Sequence, residues 1–165
     1  MENNKTIDVS VILPLNSSKH KDFDEYLSKC IQSLEFQTVK PKELVIVHSG
    51  EQRLKEIIES LDYSGLSVNI VENTGDFDYA SQVNLGVENS KCDWVSFLEF
   101  DDEYSSIWFK NVNEYIDSHS DVDAFLPLVV DTDEKGMFVG FTNEAAFAVS
   151  MNADIGYLTN ELLLS

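Results

Sequence analysis

The sequence predicts an α/β domain in which a mostly parallel sheet is covered by helices on both faces, followed by a C-terminal part that mixes a hairpin with other elements. Three observations support this fold class. Short apolar, β-branched runs alternate with segments of helical periodicity up to residue 118. Those runs are continuously apolar, which is typical of parallel strands buried on both faces. The chain has 165 residues, enough for a single domain with its own core.

Four strands are predicted from the apolar runs, and each of them ends in polar residues. They cover residues 9–15, 43–50, 67–73 and 93–99. The carboxyl ends of neighbouring parallel strands meet at one edge of a sheet, and ligands of such sheets bind there. We therefore expect the four polar ends to lie side by side and to form a binding site.

Four helices are predicted between and after these strands, at residues 22–37, 53–61, 79–89 and 105–118. The first of them has apolar residues at helical spacing, namely Phe23, Tyr26, Leu27, Cys30, Ile31 and Leu34. Cys30 falls on this apolar face, so we expect a buried thiol.

The C-terminal part has a different pattern. Residues 124–130 and 137–141 predict a hairpin around a glycine-containing turn, and residues 145–150 predict a further strand. Residues 152–164 are interpreted as a short final helix or a loop.

The charge of the chain restricts its partners. Eleven lysine and arginine residues stand against 30 acids, a formal net charge of -19. Such a charge repels nucleic acid backbones and anionic membranes, which argues against a nucleic-acid-binding role. It also repels a nucleotide diphosphate, unless a divalent cation lies between them.

The sequence contains no apolar run long enough for a transmembrane helix and no signal-peptide pattern at its N-terminus. The two cysteines, Cys30 and Cys92, are far apart and form no C-x-x-C pair, which agrees with a reducing compartment. We therefore expect a cytoplasmic protein. Phosphate-binding loops of the P-loop and dinucleotide-binding types are absent from the sequence.

Five segments, in the same order and spacing, match the motifs of a known family. They are VSVILPLNS, LSKCIQSLEFQT, PKELVIVHSGE, NTGDFDYASQVNLG and FLEFDD. With these motifs the chain resembles the nucleotide-sugar-binding half of a family 2 glycosyltransferase. The resemblance implies the GT-A fold, with a Rossmann-type sheet, and covers residues 9 to about 104.

The resemblance implies a metal site at the end of the fourth strand. In the family, an acidic motif there binds a divalent cation, Mg²⁺ or Mn²⁺, which holds the diphosphate of the donor. Asp101 is the expected main ligand, with Glu99 and Asp102 as helpers. The alternative role for Asp101 or Asp102 is to cap the helix that follows, although Ser105 and Ser106 are equally suited to cap it.

The resemblance also implies a donor-binding edge. Its expected residues are Pro14, Leu15, Asn16, His48, Ser49, Asn84 and Asp101. His48, Ser49 and Gly50 stand where the family has an acid pair followed by glycine, so His48 would face the nucleoside. The alternative is that His48 only ends the strand and bonds a neighbouring loop.

Two lysines, Lys19 and Lys21, follow the first strand. In one interpretation, their position after the strand end brings them near the phosphates of the donor. The alternative is that both are solvated surface residues.

The implied activity is transfer of a sugar from a nucleotide-diphosphate sugar to a hydroxyl acceptor, which is a glycan, a lipid or a protein. The catalytic base of such enzymes lies downstream, and the only late candidates, Asn143, Glu144 and Glu161, have no spacing that supports them. We expect a single, truncated domain, with residues 8–118 binding the donor and residues 119–165 beginning the acceptor side. The alternative is a non-catalytic binding or assembly module that has lost the acid pair and the base.

Overall fold

The computed structural model describes residues 5–63, 65–133, 135–143 and 157–158. The chain divides into two compact units, Met1–Asn111 and Val112–Ser165, and we describe each by itself.

The elements of the first unit alternate as predicted. The strands are β1 (Thr6–Leu15), β2 (Lys40–His48), β3 (Val68–Glu72) and β4 (Trp94–Phe97), and the helices between them are α1 (Phe23–Glu35), α2 (Gln52–Ser60) and α3 (Tyr79–Glu88). Helix α4 (Trp108–Ser118) follows β4. All seven strands and helices before α4 lie within a few residues of their predicted bounds.

The four strands form one parallel sheet in the order β3-β2-β1-β4. Strand β1 is therefore central, and it pairs with β2 along nearly its whole length. The prediction of a mostly parallel α/β fold with a C-terminal hairpin is confirmed.

Both faces of the sheet are covered. Side chains alternate between the two faces of a strand, and consecutive residues of β1 and β2 are fully buried. On one face, Ile12, Val45 and Val47 form a cluster to which α3 contributes Leu85. Helix α3 packs so closely there that a Cβ on Gly86 would overlap the side chain of Ile12. Glycine at this position allows the helix to approach the sheet.

Pro14 lies inside the central strand, where a proline would ordinarily remove a ladder hydrogen bond. The carbonyl of Ile12 accepts from the N–H of Leu98, and that of Leu15 accepts from the N–H of Ser49. Strand parity therefore points the nitrogen of Pro14 toward the β4 side. The bond from Leu98 N to Ile12 O is the last one found between β1 and β4, and Pro14, the next residue of β1 that faces β4, has no N–H with which to continue the ladder.

The second unit contains two small antiparallel sheets. Strands β6 (Leu128–Thr132) and β7 (Phe138–Asn143) form the predicted hairpin, whose turn contains Gly136 at a φ of 73°. Strand β5 (Ala124–Phe125) instead pairs with β8 (Tyr157–Leu158).

Two details of the prediction for the C-terminal part were wrong. The predicted strand 124–130 is divided into β5 and β6, and Pro127, which has no N–H to donate, lies between them. The two described residues of the segment 152–164 form a strand, not a helix. The predicted strand 145–150 lies outside the described residues.

Both cysteines are free thiols, and Cys30 is buried as expected. Among the described residues, no helix is long and apolar enough to span a bilayer.

The packing of α3 yields a stability prediction. Gly86→Ala places a methyl group against Ile12 and Val47, so we expect a loss of about 1–3 kcal/mol in the free energy of unfolding, measured by urea denaturation. Gly75→Ala is the control, because a Cβ there would meet its nearest atom, Asn73 Oδ1, at an ordinary 3.5 Å. Equal stability of the two variants would contradict the close approach of α3.

Candidate functional site

The carboxyl ends of the four strands lie together at one edge of the sheet, as predicted. Leu15, His48 and Glu72, the last residues of β1, β2 and β3, are paired in one row. The ladder continues one residue further, since Ser49 N donates to Leu15 O (3.1 Å) and Asn73 N donates to His48 O (2.8 Å). We call this row and the residues that follow each strand the strand-end edge.

The acidic loop, residues 98–104, follows β4 at this edge. The side chains of Glu99, Asp101 and Asp102 are exposed. Phe100 between them packs inward, with its ring centroid 4.9 Å from that of Phe23 and 6.1 Å from that of His20. The packing of Phe100 therefore anchors the loop against α1, while the carboxylates on either side of it keep contact with solvent.

The carboxylates of the acidic loop repel one another. Partial burial, followed by the charges of Asp102 and Asp101, raises the pKa of Glu99. Partial burial and the charge of Asp101 raise the pKa of Asp102. None of the ion pairs found in the described part of the chain involves these three acids. Within the described residues, no ion pair compensates their negative charge.

The carboxylate oxygens of this loop are suitable ligands for a divalent cation that is only partly coordinated by protein. Carboxylate oxygens are the ligands that Mg²⁺ prefers, and it is commonly bound by one or two carboxylates together with phosphate oxygens. Within the described residues, no three His, Cys, Asp or Glu side chains form a group that could hold a metal. Glu99, Asp101 and Asp102 do not form such a group by themselves.

The alternative that Asp101 or Asp102 caps the next helix is wrong. Helix α4 begins at Trp108, three residues later than predicted and six residues after Asp102. The N–H of Phe109, in its first turn, donates instead to Gln37 Oε1 (3.3 Å).

Polar residues of the motif LSKCIQSLEFQT contact the acidic loop and the residues after it. Cys30 Sγ donates to the carbonyl of Glu99 (3.4 Å), and Tyr104 N donates to Ser33 Oγ (3.2 Å). The motif was visible in the sequence, but the partners of its polar side chains, about 70 residues away, were not.

His48 is buried at the end of β2, and its Nδ1 accepts the N–H of Gly50 (3.1 Å). Burial lowers the pKa of His48; the charge of Glu72 opposes this shift, and that of Lys55 adds to it. The ring is therefore neutral at pH 7, with its proton on Nε2. The Gly50 bond is the loop contact that the alternative interpretation described, and a contact of His48 with a nucleoside stays a prediction.

Contacts from α2 hold the loop that follows β1. Glu51 accepts from both the N–H and the hydroxyl of Ser18 (3.2 and 2.7 Å), and these hydrogen bonds lower its pKa. Arg53, the only arginine of the chain, donates to the carbonyl of Ser18 (3.1 Å) and pairs with Asp24 (2.9 Å). Arg53 thus contributes to this loop instead of facing a phosphate.

The two lysines of the same loop are both exposed. Lys21 lies 3.6 Å from the carboxylate of Asp22 in a surface ion pair, which favours the interpretation of a solvated residue. Lys19 is exposed as well.

Asn84, expected at the donor-binding edge, lies within α3. It is exposed in the second turn of α3, which begins at Tyr79. Gln82 is buried instead, and its Nε2 donates to Asn16 Oδ1 (3.4 Å). Gln82, which the sequence analysis missed, therefore connects α3 to the end of β1; its polarity in the predicted helix was the only available signal.

Comparison with known proteins identifies related sequences and folds. The model of the family "Glycosyl transferase family 2" matches residues 10–145. Amylovoran biosynthesis glycosyltransferase AmsB of Erwinia amylovora is 30% identical over 103 residues, which are 61% of this chain and 33% of AmsB. The chain thus spans about a third of the length of that relative.

Two solved structures illustrate the similarity of fold. S. aureus TarS 1-349 in complex with UDP-GlcNAc has a TM-score of 0.60 at 18% identity, covering 78% of this chain and 36% of TarS 1-349. Mannosyltransferase PcManGT from Pyrobaculum calidifontis in complex with GDP-Man and Mn2+ has a TM-score of 0.55 at 16% identity, covering 75% and 36% of the two chains.

Charge repulsion in the acidic loop yields a second stability prediction. A carboxyl group with a raised pKa binds its proton more tightly in the folded state, so stability falls as pH rises through that pKa. Asp102→Asn removes the charge, and we expect it to raise the free energy of unfolding at pH 7 by about 0.5 kcal/mol, or roughly 1–2 °C in Tm. Asp93→Asn, at the opposite end of β4, is the control and should give no gain. Destabilisation by Asp102→Asn would show that the carboxylate is held by attractive contacts.

The buried ring of His48 yields a titration prediction. Because burial disfavours the charged form, the ring should titrate below 6.5, its ordinary value, in an NMR pH titration. The unfolded chain then binds the proton first, so the free energy of unfolding should fall as pH drops below about 6.5, until the folded ring also protonates. A midpoint at or above 6.5 would contradict the buried, neutral ring.

Proposed function

The chain belongs to glycosyl transferase family 2, and we propose that its strand-end edge binds a nucleotide-diphosphate sugar together with Mg²⁺ or Mn²⁺ for transfer of the sugar to a hydroxyl acceptor. A role in glycosyl transfer follows from the family. The donor, the cation, the acceptor and the residues that bind them are the proposed part.

The nucleoside is proposed to bind where β1 and β2 end. Pro14, Leu15 and Asn16 supply backbone and amide groups at the end of β1, while His48 and Ser49 follow from β2. The neutral ring of His48 offers Nε2–H as a donor to a base or ribose oxygen, because Nδ1 already accepts from Gly50. Asn84, exposed on α3, is a further proposed contact.

The diphosphate is proposed to bind beside the acidic loop. Asp101 would be the main protein ligand of the cation, with Glu99 and Asp102 as helpers, and phosphate oxygens would complete the coordination. The cation supplies Lewis-acid stabilisation of the charge that develops on the leaving diphosphate. The protein contributes the position of the carboxylates, and no ion pair among the described residues compensates their charge, so that the cation is attracted to this place.

One observation carries the proposal: three unpaired carboxylates, two of them with raised pKa values, lie at the edge where the ends of β1, β2 and β3 form one row. A cation would relieve the repulsion among these acids. It would also let a chain with a net charge of -19 bind a diphosphate. The neighbouring folds support this choice of ligand, because TarS was solved with UDP-GlcNAc and PcManGT with GDP-Man and Mn2+.

The acceptor side has no assigned base. Asn143 is the last residue of β7, whereas Glu144 and Glu161 lie outside the described residues. We propose that transfer to the acceptor requires groups outside the strand-end edge.

Calorimetric titration with UDP-GlcNAc and GDP-mannose, with and without Mn²⁺, tests the donor site. We expect binding that is strengthened by Mn²⁺, and we expect Asp101→Asn to weaken the binding in Mn²⁺ by about tenfold or more. This change keeps the size of the side chain and removes a charged ligand. Asp93→Asn removes the same charge at the other end of β4 and should bind like the parent.

Absence of nucleotide binding in Mn²⁺ would overturn the proposal, and so would an Asp101→Asn variant that binds as tightly as the parent. Metal-dependent binding by a complete protein that transfers no sugar would identify the alternative, a non-catalytic module of the same fold.

A further inference from the structure

The side chain of Gln37 is buried just beyond the end of α1 and uses both ends of its amide. Nε2 donates to the carbonyls of Ser33 (2.9 Å) and Ser105 (2.8 Å). Oε1 accepts the N–H of Phe109 (3.3 Å). One side chain thus joins the end of α1 to the residue that follows Tyr104 and to the first turn of α4.

Thr38 adds a second connection between the same segments. Its backbone N–H donates to the carbonyl of Ser106 (2.9 Å), and its hydroxyl donates to the same oxygen (3.1 Å). Together with the bond from Tyr104 N to Ser33 Oγ, these contacts hold the chain immediately after the acidic loop. We call residues Ser33, Gln37 and Thr38 the loop clamp.

The other end of the acidic loop is held by the sheet, because Leu98 N donates to Ile12 O (3.1 Å). Between these two attachments lie four acids, of which Glu99, Asp101 and Asp102 repel one another. A loop with such repulsion spreads into solvent unless both of its ends are held. The clamp does this with hydrogen bonds of which those of Gln37 are buried or partly buried, and such bonds are costly to break when a partner is left unsatisfied.

We propose that Gln37 is a positioning residue, which holds the acidic loop in the arrangement that binds the cation and the diphosphate. The inference rests on the proposed function of that loop and adds a residue that does not touch the donor. Gln37 is suited to this role because an amide group both donates and accepts hydrogen bonds. It donates to the carbonyl of Ser105 and accepts from the N–H of Phe109.

A purely structural role for Gln37 makes a different prediction. If the side chain only packed α1 against α4, its loss would weaken the whole first unit and would reduce nucleotide binding with and without metal alike. A positioning role concerns the acidic loop alone, so the metal-free contacts at the ends of β1 and β2 should survive.

The test uses Gln37→Met, which keeps the length of the side chain and removes its hydrogen bonds. Gln32→Met is the matched control, because Gln32 is exposed on α1, close to Gln37 in the chain, and the only bond of its side chain found in the described part goes to Ser28. Thr38→Val serves as a milder variant, since Thr38 is exposed and keeps its backbone bond to Ser106. It remains informative if Gln37→Met does not fold.

Two measurements are made on each variant. The first is amide hydrogen exchange, in which Gln37→Met should exchange about tenfold faster at residues 99–106 while β1 and β2 keep their protection. The second is titration with UDP-GlcNAc and GDP-mannose, in which affinity in Mn²⁺ should fall about tenfold while the metal-free affinity is unchanged. Thr38→Val should show smaller changes in the same direction, and Gln32→Met should show none.

Three results would overturn the inference. Unchanged exchange at residues 99–106 would show that Gln37 does not hold the loop. Faster exchange with undiminished affinity in Mn²⁺ would show that the held arrangement is not needed for the cation. A proportional loss of affinity with and without metal, accompanied by faster exchange throughout the sheet, would identify a structural role.

Failure of the proposed function is recognised separately, because it appears in the parent chain. If the parent shows no metal-dependent binding, both the proposed cation binding by the acidic loop and the positioning role of Gln37 are contradicted. If the parent binds and loses binding on Asp101→Asn, only the behaviour of Gln37→Met decides the further inference.

Discussion

Repulsion among the carboxylates of the acidic loop is the constraint on which the site depends. Glu99, Asp101 and Asp102 are close enough for burial and mutual charge to raise the pKa of two of them. Such a cluster persists only if the chain on either side is held. The sheet holds one end through Leu98, and the residues around the end of α1 hold the other. The energetic cost of the cluster is thus offset by a backbone hydrogen bond on one side and by side-chain hydrogen bonds on the other, and a bound cation would reduce it.

Several positively charged residues of the first unit are paired with acids outside the acidic loop, which agrees with this interpretation of the site. Arg53 is engaged with Ser18 and Asp24, Lys55 pairs with Glu72 at 2.8 Å, and Lys21 pairs with Asp22. These pairs contribute to the loops around the strand-end edge but supply no cation to the acidic loop. This is one reason why the proposed function includes a divalent ion. The same arrangement predicts that loss of one carboxylate stabilises the fold and weakens donor binding.

Sequence patterns predicted the sheet well because each pattern has a local cause. A continuous apolar run is typical of a strand that is buried on both faces. The predicted bounds of β1 and β2 were therefore correct to within a few residues. The start of α4 was placed three residues early, because Ser105 has the preferences of a capping residue and the bond from Phe109 to Gln37 cannot be seen in the chain order. The break between β5 and β6 occurs at Pro127. A proline interrupts a strand where its missing N–H would have bonded to a neighbouring strand, and the sequence does not show where that strand lies.

The sequence by itself determined the parallel sheet, the grouping of polar strand ends at one edge, and the acids that follow β4, since these follow from periodicity and chain direction. Only the tertiary structure decided which polar side chains support that edge. Gln82 was found to connect α3 to the residue after β1, and Gln37 was found to connect the end of α1 to the segment after the acidic loop. The physical reason is that a buried amide must find partners wherever packing places them, and for Gln37 the partner at Ser105 lies 68 residues away in the chain.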